Sequence, residues 1–115
     1  MNRRALLAAG AVLPFAGAVR AEAPSAGRLV THASFSSAHV QARNVSVWLP
    51  PGYDASDARH PVLYMHDGQN LFDASTAPFG EWGVDEHLQR LIATRQVRAP
   101  IVVGVWNSEL RLREY

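Results

Sequence analysis

Pro61-Val62-Leu63-Tyr64-Met65-His66-Asp67-Gly68-Gln69-Asn70-Leu71-Phe72-Asp73 changes character halfway along. Val62 to His66 is mostly apolar, without the polar alternation of a half-exposed strand, and Asp67-Gly68-Gln69-Asn70 follows at once. The reading is a buried strand that ends in a tight, polar, glycine-containing loop. In open sheets with parallel strands, ligands sit beyond the carboxyl ends of the strands, so a loop of this composition there is a candidate for chemistry. An Asp-Gly pair also turns a chain with no chemistry attached, and the flanking sequence has to decide between the two.

Upstream, Val45, Val47 and Leu49 alternate with Asn44, Ser46 and Trp48 in Arg43–Leu49, the period of two of a strand with one face inward. Pro50-Pro51-Gly52 stops it, because proline has no amide hydrogen for the ladder. A first strand is expected over 28–37, ending in a Ser36-Ser37-Ala38 turn, and 53–60 reads as a surface loop. Downstream, Val84, Leu88, Leu91 and Ile92 form one stripe of a helix over about 83–95. Asp85 and Glu86 near its start and Arg90 and Arg95 near its end suit the helix dipole. The Ile101-Val102-Val103-Gly104-Val105 run after Pro100 predicts another buried strand. Strand, helix and strand between Val62 and Val105 then make one crossover unit, so the fold class is α/β.

The 115-residue chain is one domain at most, and 48% hydrophobic with 18% charged residues is ordinary globular composition. All 11 basic residues are arginine, and the formal net charge is +1. Residues 1–21 read as an export signal: Arg3 and Arg4, then an apolar run from Ala5 to Ala18, then small residues at Val19-Arg20-Ala21 or Ala21-Glu22-Ala23 for cleavage. The run, broken by Gly10, Pro14 and Gly17, is short for a bilayer span, so export to the periplasm or the medium is expected, with no stable membrane anchor. Arg3-Arg4-Ala5-Leu6-Leu7 resembles a twin-arginine signal, although paired arginines occur in general export signals too. Residues 22–27 read as a flexible entry. Without Arg3, Arg4 and Arg20, eight basic residues face 10 acidic ones, and no basic patch for nucleic acid is left. No cysteine is present, and the five histidines show no metal-ligand spacing, so neither a metal nor a cofactor is expected.

Four blocks together resemble the putative-esterase family of α/β-hydrolases, which includes siderophore esterases, feruloyl esterases and mycolyl-transferring enzymes. They are Val47-Trp48-Leu49-Pro50-Pro51-Gly52-Tyr53-Asp54, Leu63 to Phe72, Trp82-Gly83-Val84-Asp85-Glu86, and the spaced set Asn107, Arg111, Glu114 and Tyr115. The resemblance implies that 28–115 is the N-terminal part of an α/β-hydrolase domain, with two leading strands and then β-α-β, incomplete. It also implies a small-molecule ester substrate and a Ser, Asp/Glu, His triad. None of the eight serines lies in a Gly-x-Ser-x-Gly elbow and no histidine is late enough, so the catalytic residues are expected after Tyr115. On the same resemblance the loop at Gly68 and Gln69 supplies one backbone amide of an oxyanion hole, the Gln69 amide being favoured. Trp82 and Trp106 are candidates for lining an aromatic substrate pocket or for core. His66 and Asp67 are adjacent, so their side chains diverge if the strand persists. Arg111 and Glu114, three apart, are expected to pair on one helical turn.

The leading expectation is the N-terminal segment of an exported serine esterase, inactive by itself. The alternatives are a catalytically inactive truncated fragment and a small exported ligand-binding module. The isolated chain is expected to be insoluble or partly unfolded, because the fourth strand would present an unpaired apolar edge.

Overall fold

Alternating and apolar runs become strands where neighbours can satisfy their backbone, and four do so here. The computed structural model describes residues 26–114. The export signal expected over 1–21, most of the flexible entry and Tyr115 lie outside the described residues. The strands are β1 (Arg28–Phe35), β2 (Arg43–Leu49), β3 (Val62–His66) and β4 (Ile101–Val105). Helix α1 (Val84–Ala93) lies between β3 and β4, and a short α2 (Arg111–Glu114) follows β4. One-turn 3₁₀ segments stand at Tyr53–Ala55 and Gly68–Asn70.

The strands form one mixed sheet in the order β1-β2-β4-β3. β1 pairs antiparallel with β2, β2 antiparallel with β4, and β3 parallel with β4. Two leading strands followed by β-α-β is the order expected from sequence, and the molecule is a small, incomplete α/β fold. β1 ends at Phe35 rather than Ser37, and its register slips between His32 and Phe35 before pairing resumes at Phe35 with Arg43. Ser34 there has φ 50°, and its amide donates to Asn44 Oδ1 at 3.0 Å.

Two expectations about burial are corrected by the strand order. β4 is interior, flanked by β2 and β3, so it is not the open edge. The edge strands are β1 and β3, and β3, the strand read as buried, is exposed: Val62 is 46%, Leu63 43% and Tyr64 73% accessible. A five-residue apolar run looks the same at an edge as in a core, because composition records hydrophobicity and not neighbours.

The core sits on one face. Ser46 pairs with Gly104 and Trp48 with Val102 across β2 and β4, and all four are buried. Leu71, fully buried, covers this row from the loop after β3. On β2 the buried positions are thus Ser46 and Trp48, while Val45, Val47 and Leu49 are only half-buried. The helix spans a shorter range than expected, and its stripe of Val84, Leu88, Leu91 and Ile92 is half-buried, with no α1 residue fully buried.

Candidate functional site

A parallel pair puts two chain exits side by side. His66 is in register with Val105, so the residues after them, Asp67 on one side and Trp106 and Asn107 on the other, emerge together. Asp67 leaves β3 in the left-handed region, φ 55° and ψ 45°, a conformation that aspartate tolerates better than most residues. It turns the chain into the 3₁₀ segment Gly68–Asn70. Strand geometry therefore ends at His66, and with it the expected divergence of the His66 and Asp67 side chains. Both line a cleft of about 250 Å³ with Arg111 and Leu112.

Gly68 is buried against the sheet, and its lack of a Cβ is spent there. A Cβ at Gly68 would stand 2.4 Å from Gly104 O and 2.8 Å from Trp106 Cδ1. Two glycines in contact let the turn lie flat on β4. Within the turn the Asn70 amide donates to Asp67 O at 2.9 Å and the Leu71 amide to Gly68 O at 3.4 Å. The turn's own bonds begin at Asn70, so the amides of Gly68 and Gln69 precede them and have no acceptor inside the segment. The rest of Gln69 is tied down: its carbonyl accepts from Thr76 Oγ1 at 2.7 Å and its Oε1 from the Asn107 amide at 3.2 Å.

Charged groups secure both exits. Arg111 donates to Asp67 through Nε at 3.1 Å and Nη2 at 2.9 Å, and Asn107 Nδ2 adds a bond to Asp67 Oδ1 at 3.3 Å. Arg43 on β2 grips Glu114 with two bonds of 2.9 and 2.8 Å, and Ser108 Oγ donates to the same carboxylate at 2.9 Å. The expected Arg111–Glu114 pair is thereby corrected: each residue pairs with a strand or loop group far away in sequence, because bidentate geometry across the fold outweighs a weak exposed pair on one turn. The Arg111 hydrogen bonds, foremost, hold the Asp67 carboxyl below its usual range against the opposing effect of burial, with the Arg111 charge, Asn107 and His66 adding to the lowering. The Arg43 hydrogen bonds, then that from Ser108, do the same for Glu114. Trp106 Nε1 donates to the buried Ser46 Oγ at 2.8 Å, which gives that hydroxyl a partner beneath the site.

A second cleft of about 440 Å³ opens beside the turn, with Gln69, Asn70, Phe79, Trp106, Asn107 and Arg111 in its wall. Its aromatic surfaces are Phe79, 97% accessible, and Trp106. Of the two tryptophans singled out by sequence, Trp106 is in this wall, whereas Trp82 is 55% accessible outside it, with its amide donating to Asn70 O at 2.8 Å.

Residues 36–111 match the family described as Putative esterase. The chain belongs to the putative-esterase family. Neither the curated proteins nor the solved structures gave a match.

In this esterase-family chain the fold brings Gly68, Gln69, Asn107 and Arg111 to one end of the sheet. Sequence reasoning missed the Asp67–Arg111–Asn107 bonds and the Arg43–Glu114 clamp. Asn107, Arg111 and Glu114 stood out as a spaced set, but nothing local in the sequence names partners 40 to 71 residues away.

Proposed function

We propose that the chain is the N-terminal part of an exported serine hydrolase of α/β-hydrolase fold that acts on carboxylic esters. On this reading it supplies one side of the oxyanion hole, through the Gln69 backbone amide in the turn at Gly68. The nucleophile, acid and histidine come from residues outside this segment. One observation carries the proposal: the turn sits at the carboxyl end of β3, in the parallel pair, with its first two amides unclaimed by the turn and a cleft beside it.

The chemistry is acyl transfer. A serine oxygen attacks the ester carbonyl while a histidine takes its proton, and the carbonyl oxygen gains negative charge as the tetrahedral intermediate forms. A fixed N–H donor binds that oxygen more strongly as its charge grows, so it lowers the barrier rather than only tightening substrate binding. One such donor is worth roughly 2.7–4 kcal/mol. Phe79 and Trp106 offer flat apolar surfaces for the acyl or alcohol group. Trp82, exposed and tethered to Asn70 of the same cleft, is assigned to the substrate side as well.

The test is labelling with a fluorophosphonate, which reacts with activated serines. The full protein that carries these residues should be labelled and should hydrolyse p-nitrophenyl butyrate, whereas residues 1–115 alone should do neither. Labelling of the 115-residue chain would refute the assignment of the nucleophile to a segment outside it. An unlabelled, inactive full protein would refute the esterase reading.

A further inference from the structure

Asp67 holds a left-handed backbone, φ 55°, at the first residue of the turn that presents the Gln69 amide. Aspartate tolerates that conformation better than most residues with a Cβ, and side-chain bonds can hold it there. Two bonds from Arg111 and one from Asn107 hold the Asp67 carboxylate, whose side chain is only 14% accessible. The Asn107 amide holds the Gln69 side chain at 3.2 Å, so one residue bridges both members of the turn. Gly68 is fixed from below by Gly104. Thr76 Oγ1 and the Trp82 amide hold the Gln69 and Asn70 carbonyls on the far side, and Arg111 holds the entry at Asp67.

We propose that Arg111 is a positioning residue: through its forked hydrogen bonds to Asp67 it locks the turn in which the Gln69 amide is aimed at the reacting carbonyl oxygen. This rests on the oxyanion role of Gln69 argued above. Arg111, the first residue of α2, stands in the wall of both clefts, and its guanidinium bonds the Asp67 carboxylate through two nitrogens. The action proposed for it is exerted through that forked pair with Asp67.

A lock that serves only the transition state has a kinetic signature. In the full protein, Arg111→Gln should lower kcat for p-nitrophenyl butyrate by about 10- to 100-fold per fluorophosphonate-titrated site, with KM changed less than about 2-fold. Arg111→Lys should recover only part of the loss, since an ammonium is a point charge without the planar fork. Asp67→Asn combined with Arg111→Gln should be no worse than the more severe single change, because both remove one interaction. An unchanged kcat per titrated site, with only the melting temperature lowered, would overturn the proposal.

A second readout does not depend on activity. The ¹⁵N order parameter of the Gln69 amide should fall from about 0.85 in the parent to below about 0.6 in Arg111→Gln and to an intermediate value in Arg111→Lys, while Trp48 and Val102 stay rigid. Should the parent hydrolyse no ester, the esterase reading falls and this measurement decides the lock by itself. A Gln69 amide as rigid in both variants as in the parent overturns it.

Discussion

Glycines at two turns show how differently the same residue is required. Gly68 needs space: its Cβ would meet the Gly104 backbone at 2.4 Å, and backbone cannot swing aside. Gly52 needs only conformation, with φ 79° and nothing within 4 Å of an added Cβ. Gly68→Ala should therefore cost about 3 kcal/mol or more, whereas Gly52→Ala should cost about 1–2 kcal/mol, as read from urea denaturation of the full protein. Asp67 and Glu114 set a pH dependence of determined sign. Both carboxyls titrate below their ordinary range in the folded protein, so the unfolded chain binds more protons than the native state in the acid region. Their stabilisation is fully present above the unfolded carboxylate values, about pH 4–5, and is lost as pH falls through the folded ones. The urea midpoint should hold steady from neutrality to about pH 5 and then decline, with a shallower decline in Asp67→Asn. Equal acid limbs in parent and variant would show that Asp67 is not a source of the decline.

Elements differ in how much of the fold rests on them. β2 and β4 share the buried row of Ser46, Trp48, Val102 and Gly104, capped by Leu71, whereas α1 lays down a stripe that is half-buried throughout. Trp48→Ala should lose about 3–5 kcal/mol, the usual cost of emptying a buried aromatic site. Leu88→Ala should lose only about 1 kcal/mol, because roughly half the burial is there to lose. Comparable losses at both positions would mean that α1 is packed as firmly as the central strands. Ser46 is polar in this buried row because it accepts the Trp106 Nε1–H and lies 3.2 Å from Thr31 Oγ1. The element that carries Asp67 and Gln69 is thus seated on the best-packed part of the sheet.

At the scale of the whole molecule, the sheet has its core on one face and edges at β1 and β3. Among the described residues no strand pairs with the outer side of β3, and Val62, Leu63 and Tyr64 are exposed along it. Such an edge templates further pairing, and charges placed on it oppose that. Residues 1–115 expressed alone should elute as large assemblies in size-exclusion chromatography with light scattering, and Tyr64→Lys should shift material towards monomer; a monodisperse parent chain would contradict this. The edge belongs to β3 rather than β4 because β4 inserts between β2 and β3, a choice invisible in two apolar runs of equal length. Period and punctuation along the chain were enough for the bounds of β2, for the β-α-β order and for a polar turn after β3, since alternation, proline stops and helical stripes act between residues a few positions apart. Four spaced blocks were enough for the family. Only the tertiary structure decided which strand is interior, why Gly68 must lack a Cβ, and that Arg111 holds Asp67 while Glu114 holds Arg43. Those outcomes depend on contacts between residues 36 to 71 positions apart, whose partners are chosen by strand order and register and not by anything in their own neighbourhoods.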